Sequence, residues 1–177
     1  MGIIQFLEEV GKLKSIKRTG WIKHHIPDPE SVADHSFRVA VMSLVLAEKA
    51  GIDANKCVKM ALVHDIGEAK VGDLIKFDAK GYLPGYEEKL LNESKAVEEI
   101  TGLIGGKVYD SLFKEYSENK SKEARFVKQV DKLERALQAL EYEKKVRIKL
   151  DEFFQSADML VDIPILKEIL LEIEKLR

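Results

Sequence analysis

The sequence predicts an all-α protein, an orthogonal bundle of six to eight helices in a single domain over residues 1–177. Two observations predict it. Apolar residues recur at helical spacing nearly throughout, with no alternating run long enough for a strand. The four prolines and eleven glycines gather in a few places, which leaves long uninterrupted segments between them.

Ile3, Ile4, Phe6, Leu7 and Val10 put an apolar stripe on a first helix over 2–13. Residues 15–29 lose that period and carry Gly20, Pro27 and Pro29, so a loop is expected there. Ser31 can cap the next helix, with Asp34 in its first turn, and Gly51 stops it after about residue 50. Val32, Phe37, Val39, Val41, Leu44 and Val45 make it apolar on most sides, which predicts a central helix.

Asp53 caps a third helix, expected to reach about Ile66, and Gly67 and Gly72 punctuate a short irregular segment after it. Beyond the break at Gly81, Pro84 and Gly85, helices are expected over 86–101 and 107–118. A long helix over 121–147 buries Phe126, Val127, Val130, Leu133, Leu137 and Leu140. A short segment over 151–159 and a helix starting at Pro164, a favoured first-turn residue, end the chain.

Composition narrows the function classes. With 29 basic and 31 acidic residues the net charge is −2, so no long-range field favours a nucleic-acid partner. No apolar stretch is long enough to span a bilayer, and the N-terminus lacks the pattern of a signal peptide. A cytoplasmic protein without a membrane partner is expected. The one cysteine, Cys57, lies in an apolar helical stretch and is expected to pack as a small hydrophobe. His24 and His25 are expected at the surface or at a pocket rim.

The chemistry lies in polar residues placed where the pattern calls for apolar ones. His35 falls three residues after Val32 and four before Val39. His64 and Asp65 close an apolar helix, and Asp131 follows Val127 by one turn. A buried aspartate costs several kcal/mol, of order 3–5 when its partner is missing, unless it is paired or bound to metal. Alone, each of these residues is more often a packed or solvated side chain than a ligand. Together they ask for a common partner, and a divalent cation (Mn, Co, Mg, Zn, Fe or Ni) suits imidazole and carboxylate donors. An open coordination position would then hold a water and make it a nucleophile near neutral pH.

The blocks ESVADHSFRVAVMSLVLA, ALVHDIGEAKVGDL and FVKQVDKLERALQALEYE, preceded by LKSIKRTGW, resemble the HD-domain 5′-deoxynucleotidases of the HD superfamily of metal-dependent phosphohydrolases. The resemblance covers roughly residues 1–145. It implies metal ligation by His35, His64, Asp65 and Asp131. It implies that Glu68 orients or activates the water and that Asp73 acts as general acid or base, and it leaves open a second ion near Glu68 and Asp73. Arg18 would grip phosphate and Trp21 would crowd the ribose 2′ position, although Thr19 and Gly20 separate the two here. Lys76 could add positive charge at the phosphate.

The activity implied is release of phosphate from deoxynucleoside 5′-monophosphates, with a small-molecule nucleotide as partner and a homodimer as the assembly. The C-terminal helix around Ile165, Ile169, Leu170, Ile173 and Leu176 could serve that dimer or close the core. Other HD substrates remain open at this point: cyclic nucleotides, (p)ppGpp or deoxynucleoside triphosphates. So does a helical binding protein with a relict site.

Overall fold

The computed structural model describes the chain apart from Met1, Lys76, Ala79, Lys80 and Leu83, with the backbone alone of residues 77, 78, 81 and 82. Eight helices of ten residues or more appear among the described residues. They are α1 (Gly2–Gly11), α3 (Val32–Lys49), α4 (Ala54–Val63), α6 (Tyr86–Gly102), α7 (Lys107–Ser117), α8 (Lys122–Val146), α9 (Asp151–Leu160) and α10 (Pro164–Lys175). Two shorter ones intervene, α2 (Thr19–Lys23) and α5 (Glu68–Val71), with a 3-10 turn at Lys12–Lys14. The described strands are a two-residue antiparallel pair, β1 (Phe77–Asp78) with β2 (Gly81–Tyr82), Phe77 opposite Tyr82.

Local chemistry sets the helix ends. Ser31 and Asp34 form a reciprocal capping box: the Ser31 hydroxyl accepts from Asp34 N at 3.1 Å, and Asp34 accepts from Ser31 N at 2.8 Å. Those bonds hold the Asp34 carboxyl below its usual range. Asp53 and Ser121 cap α4 and α8 by accepting from Lys56 N and Ala124 N, each at 3.0 Å. Pro164 occupies the first turn of α10.

α3 packs against α4 and α8, and α9 and α10 close over the other side of α8. The core gathers Val32, Val39 and Ala47 of α3, Met60 and Ala61 of α4, and Phe126, Val127, Val130 and Leu133 of α8, with Leu166 and Leu170 of α10. Each large apolar side chain so buried contributes about 1.5–3 kcal/mol. Cys57 is buried, and its thiol is pushed up to about 12, chiefly by burial.

Three expectations need correction. The segment 15–29 is not all loop: α2 forms there because an antiparallel bridge of Lys17 with Ser31 pins the chain, through Arg18 N to Glu30 O at 3.1 Å and Val32 N to Ile16 O at 2.9 Å. α4 stops at Val63, because residues 64–67 tighten into a turn with Ile66 N on Val63 O and Glu68 N on Asp65 O. A Cβ on Gly67 would lie 2.8 Å from Glu93 O, so the turn packs directly on α6. Finally, α3 is not covered all round among the described residues. Phe37, Val41, Leu44 and Val45 are exposed, and Phe37 is 70% accessible. α10 buries Leu166, Leu170 and Ile173 and so closes the core.

Candidate active site

The turn at 64–67 and the middle of α8 line a cavity of about 930 Å³, and the first turns of α3 bring His35 against Asp65 and Asp131. His35, His64 and Asp131 bring ligand atoms within 4.8 Å of one another, all three side chains buried. Asp65 Oδ2 lies 3.2 Å from His64 Nε2 and 3.8 Å from His35 Nε2, and Asp131 Oδ1 lies 3.2 Å from His35 Nε2. Ligand atoms about 2.1 Å from one ion, at angles between octahedral and tetrahedral, are about 3.0–3.4 Å apart. His35, His64 and Asp131 thus form one group that could hold an ion, and Asp65 borders it through His64 at 3.2 Å.

Hydrogen bonding settles which nitrogens face inward. His35 Nδ1 donates to Glu134 Oε2 at 2.6 Å, and His64 Nδ1 donates to the Ala61 carbonyl at 2.6 Å. Both Nε2 atoms are buried and make no hydrogen bond. Two imidazoles fixed through Nδ1 with Nε2 lone pairs turned to one point are what a metal site needs. Glu134 is in turn held by Arg38 Nε at 2.8 Å.

The electrostatics agree. Burial opposes ionisation of Asp65, but His64, Arg18 and His35 outweigh it and hold the carboxyl well below its usual range. Asp131 is likewise depressed, with Lys132 and His35 outweighing burial. Burial and Arg18 disfavour a charged His35, yet Glu134 and Asp131 raise it to about 9. The field that binds a proton there favours a divalent cation more.

Glu68 is buried, and with Asp65 and Glu93 it forms a second group of carboxylates within 4.8 Å of one another. Asp73 lines the same cavity. It accepts from Thr19 N and pairs with Arg18 Nη1 at 3.2 Å, while Thr19 Oγ1 donates to its backbone carbonyl at 2.7 Å. Glu68 therefore groups with Glu93 rather than with Asp73.

Arg18 reaches into the same centre. Its Nη1 lies 2.8 Å from Asp65 Oδ2 and 3.7 Å from Glu68 Oε2. Burial opposes its charge, but Asp73, Asp65 and Glu68 keep its pKa well above the ordinary value. Trp21 lines the cavity but is only 1% exposed. It stacks on Phe153 at 4.1 Å, meets Tyr142 edge-on, and donates to Glu30 Oε1 at 2.8 Å. The indole is thus a fixed wall anchored in the core. Burial, then Glu134, raises Glu30 to about 7. His24 is half-buried and bonded to Glu152 at 2.6 Å, and His25 is exposed. Lys76 lies outside the described residues.

Sequence reasoning missed Glu30, Glu93, Lys132, Glu134 and Arg135. Two carried the signal that revealed His35: Glu93 stands four residues before Val97, and Glu134 four after Val130. Lys132 carried none. Its Nζ bonds Asp131 Oδ2 at 2.8 Å, and burial with Arg135 lowers its pKa to about 7.

The family model described as HD domain matches residues 10–168. The chain is 41% identical to "5′-deoxynucleotidase HDDC2" of Dictyostelium discoideum, over 97% of this chain and 96% of that one. It is 42% identical to the protein of that name from Xenopus laevis, over 87% and 77% respectively. Among solved structures, a conserved hypothetical protein from Pyrococcus furiosus superposes with a TM-score of 0.81 at 37% identity, covering 97% of this chain and 99% of that one.

Proposed function

The chain belongs to the HD-domain family, and we propose from that premise that it is a divalent-metal-dependent 5′-deoxynucleotidase. The observation that carries the reading is the pair of buried Nε2 atoms, His35 and His64, turned without hydrogen bonds toward Asp65 and Asp131. Those four side chains would hold the ion, with Mn or Co the metals proposed. When bound, the ion lowers the pKa of water and offsets charge at phosphorus.

The chain's own groups supply the rest. Glu68 is buried beside Asp65 and accepts the proton of the attacking water. Arg18 binds phosphate oxygens through its forked donors. Asp73 orients Arg18 and the start of α2 and, once Arg18 has turned to phosphate, takes a proton from solvent and passes it to the leaving 5′-oxygen. Water adds to phosphorus, the bond from phosphorus to the 5′-oxygen breaks, and inorganic phosphate and a deoxynucleoside leave. Trp21, held by Phe153, Tyr142 and Glu30, is a rigid wall against which a ribose 2′-hydroxyl is excluded.

Among the described residues no helix is long and apolar enough to cross a membrane. The proposed setting is the cytoplasm, with residues 1–177 forming one domain. The proposed assembly is a homodimer through the exposed α3 stripe, since α10 is spent on the core.

The test is phosphate release from dAMP, dGMP, dCMP and dTMP against their ribonucleotides. Activity should vanish with EDTA and return with Mn²⁺ or Co²⁺. Asp65→Ala should lose metal and activity while keeping its helical circular dichroism. Metal-loaded wild type that releases no phosphate from any of the four would refute the reading.

A further inference from the structure

We propose that Lys132 and Arg135 of α8 form, together with Arg18, the wall that binds the phosphate group of the substrate. The inference rests on the function proposed above and adds two substrate-binding residues to it.

The argument begins with a lysine in an expensive place. Lys132 is 8% exposed, and burying an ammonium is unfavourable until a partner offsets it. A leucine or methionine would fill that space in the core at lower cost. Its bond to Asp131 Oδ2 at 2.8 Å leaves Asp131 Oδ1 facing His35 Nε2 at 3.2 Å. The ammonium therefore stands at the rim of the ion site without occupying it. A group that binds the ion and carries further negative charge would meet it there.

Arg135 comes one helical turn after Asp131, on the same side of α8. Its guanidinium carbon lies 5.9 Å from the centre of the Phe153 ring, whose stacking on Trp21 holds that ring in place. Arg18, Lys132 and Arg135 all line the one cavity. Arg18 and Lys132 are each held by a carboxylate at the candidate ion site, Asp65 and Asp131, both at 2.8 Å. An ion drawing on those two carboxylates would leave both cations to a phosphate in the cavity, and Arg135 lines the same cavity one turn further along α8.

The experiment is calorimetric titration of inorganic phosphate into Mn²⁺-loaded wild type, Lys132→Met, Arg135→Met and Lys132→Arg, with metal content measured on each. Lys132→Met and Arg135→Met should each keep their metal and bind phosphate about tenfold or more weakly, and Lys132→Arg should bind close to wild type. KM for dAMP should rise in parallel with the phosphate dissociation constant, more than kcat falls. A phosphate dissociation constant within twofold of wild type in either Met variant would overturn the proposal. So would metal loss in Lys132→Met, which would make Lys132 a support for Asp131 alone. Wild type that binds phosphate in a Lys132-dependent way but hydrolyses no deoxynucleotide would sink the proposed function and leave this site standing.

Discussion

Arg18 Nη1 stands 2.8 Å from Asp65 Oδ2, the same oxygen that faces His64 Nε2 at 3.2 Å and His35 Nε2 at 3.8 Å. An ion held through this oxygen would contend with the guanidinium for it, and would leave the Arg18 donors available to phosphate.

Arg18→Met should therefore bind divalent metal as tightly as wild type or more so, while KM for dAMP rises about tenfold or more. Metal titration alongside steady-state kinetics measures both. Loss of the ion together with Arg18 would show that the guanidinium supports the site instead.

Glu134 fixes the proton of His35 on Nδ1 and is itself held by Arg38. A carboxylate behind a ligating histidine is typically worth about 10–100-fold in metal affinity. Glu134→Gln should lose metal affinity in that range without losing helical structure. Competition with a chromophoric chelator would show it, and unchanged affinity would count against the ligand role of His35.

Glu143 ties the end of the chain to α8. It accepts from Leu150 N at 2.6 Å and from Arg177 at 2.7 and 2.8 Å. Burial opposes its charge, but Arg177 and the Leu150 amide outweigh it and lower its pKa from the ordinary 4.5. The folded value lies below the unfolded one, so this stabilisation is complete above about pH 4.5 and is lost as pH falls through the folded value. Glu143→Gln should lower stability at pH 7 by about 1–3 kcal/mol and narrow its gap to wild type in acid. Urea unfolding at pH 7 and below pH 4 would read this, and a gap constant with pH would contradict it.

The exposed residues Phe37, Val41, Leu44 and Val45 recur at spacings of four and three along α3. If they form the homodimer contact, Phe37→Glu with Val45→Glu should halve the mass found by sedimentation equilibrium. A wild type that is already monomeric, or a variant that stays dimeric, would remove that assignment.

Much of this protein was legible in one dimension. Helical period and capping chemistry act over a few residues, so Ser31, Asp53 and Pro164 marked their helices without reference to the rest of the chain. His35 and Asp131 declared themselves because a polar group on an apolar face conflicts with its own neighbours, and that conflict is local. The sequence by itself thus determined the long helices, the polar residues that interrupt their apolar faces and, through the order of its blocks, the family.

What it could not determine depends on which elements meet. α2 exists because a bridge between Lys17 and Ser31 pins a segment that lacks helical period. Trp21 became a core anchor once Phe153 arrived from α9, more than a hundred residues on. Phe37 stayed exposed because the described elements that pack on α3 leave its side of the helix uncovered. Glu134 and Lys132 acquired their roles when α8 crossed α3 and the cavity. Propensity and capping are properties of a short stretch of chain, whereas burial, tautomer and field strength are properties of a place. Only the tertiary structure creates the place.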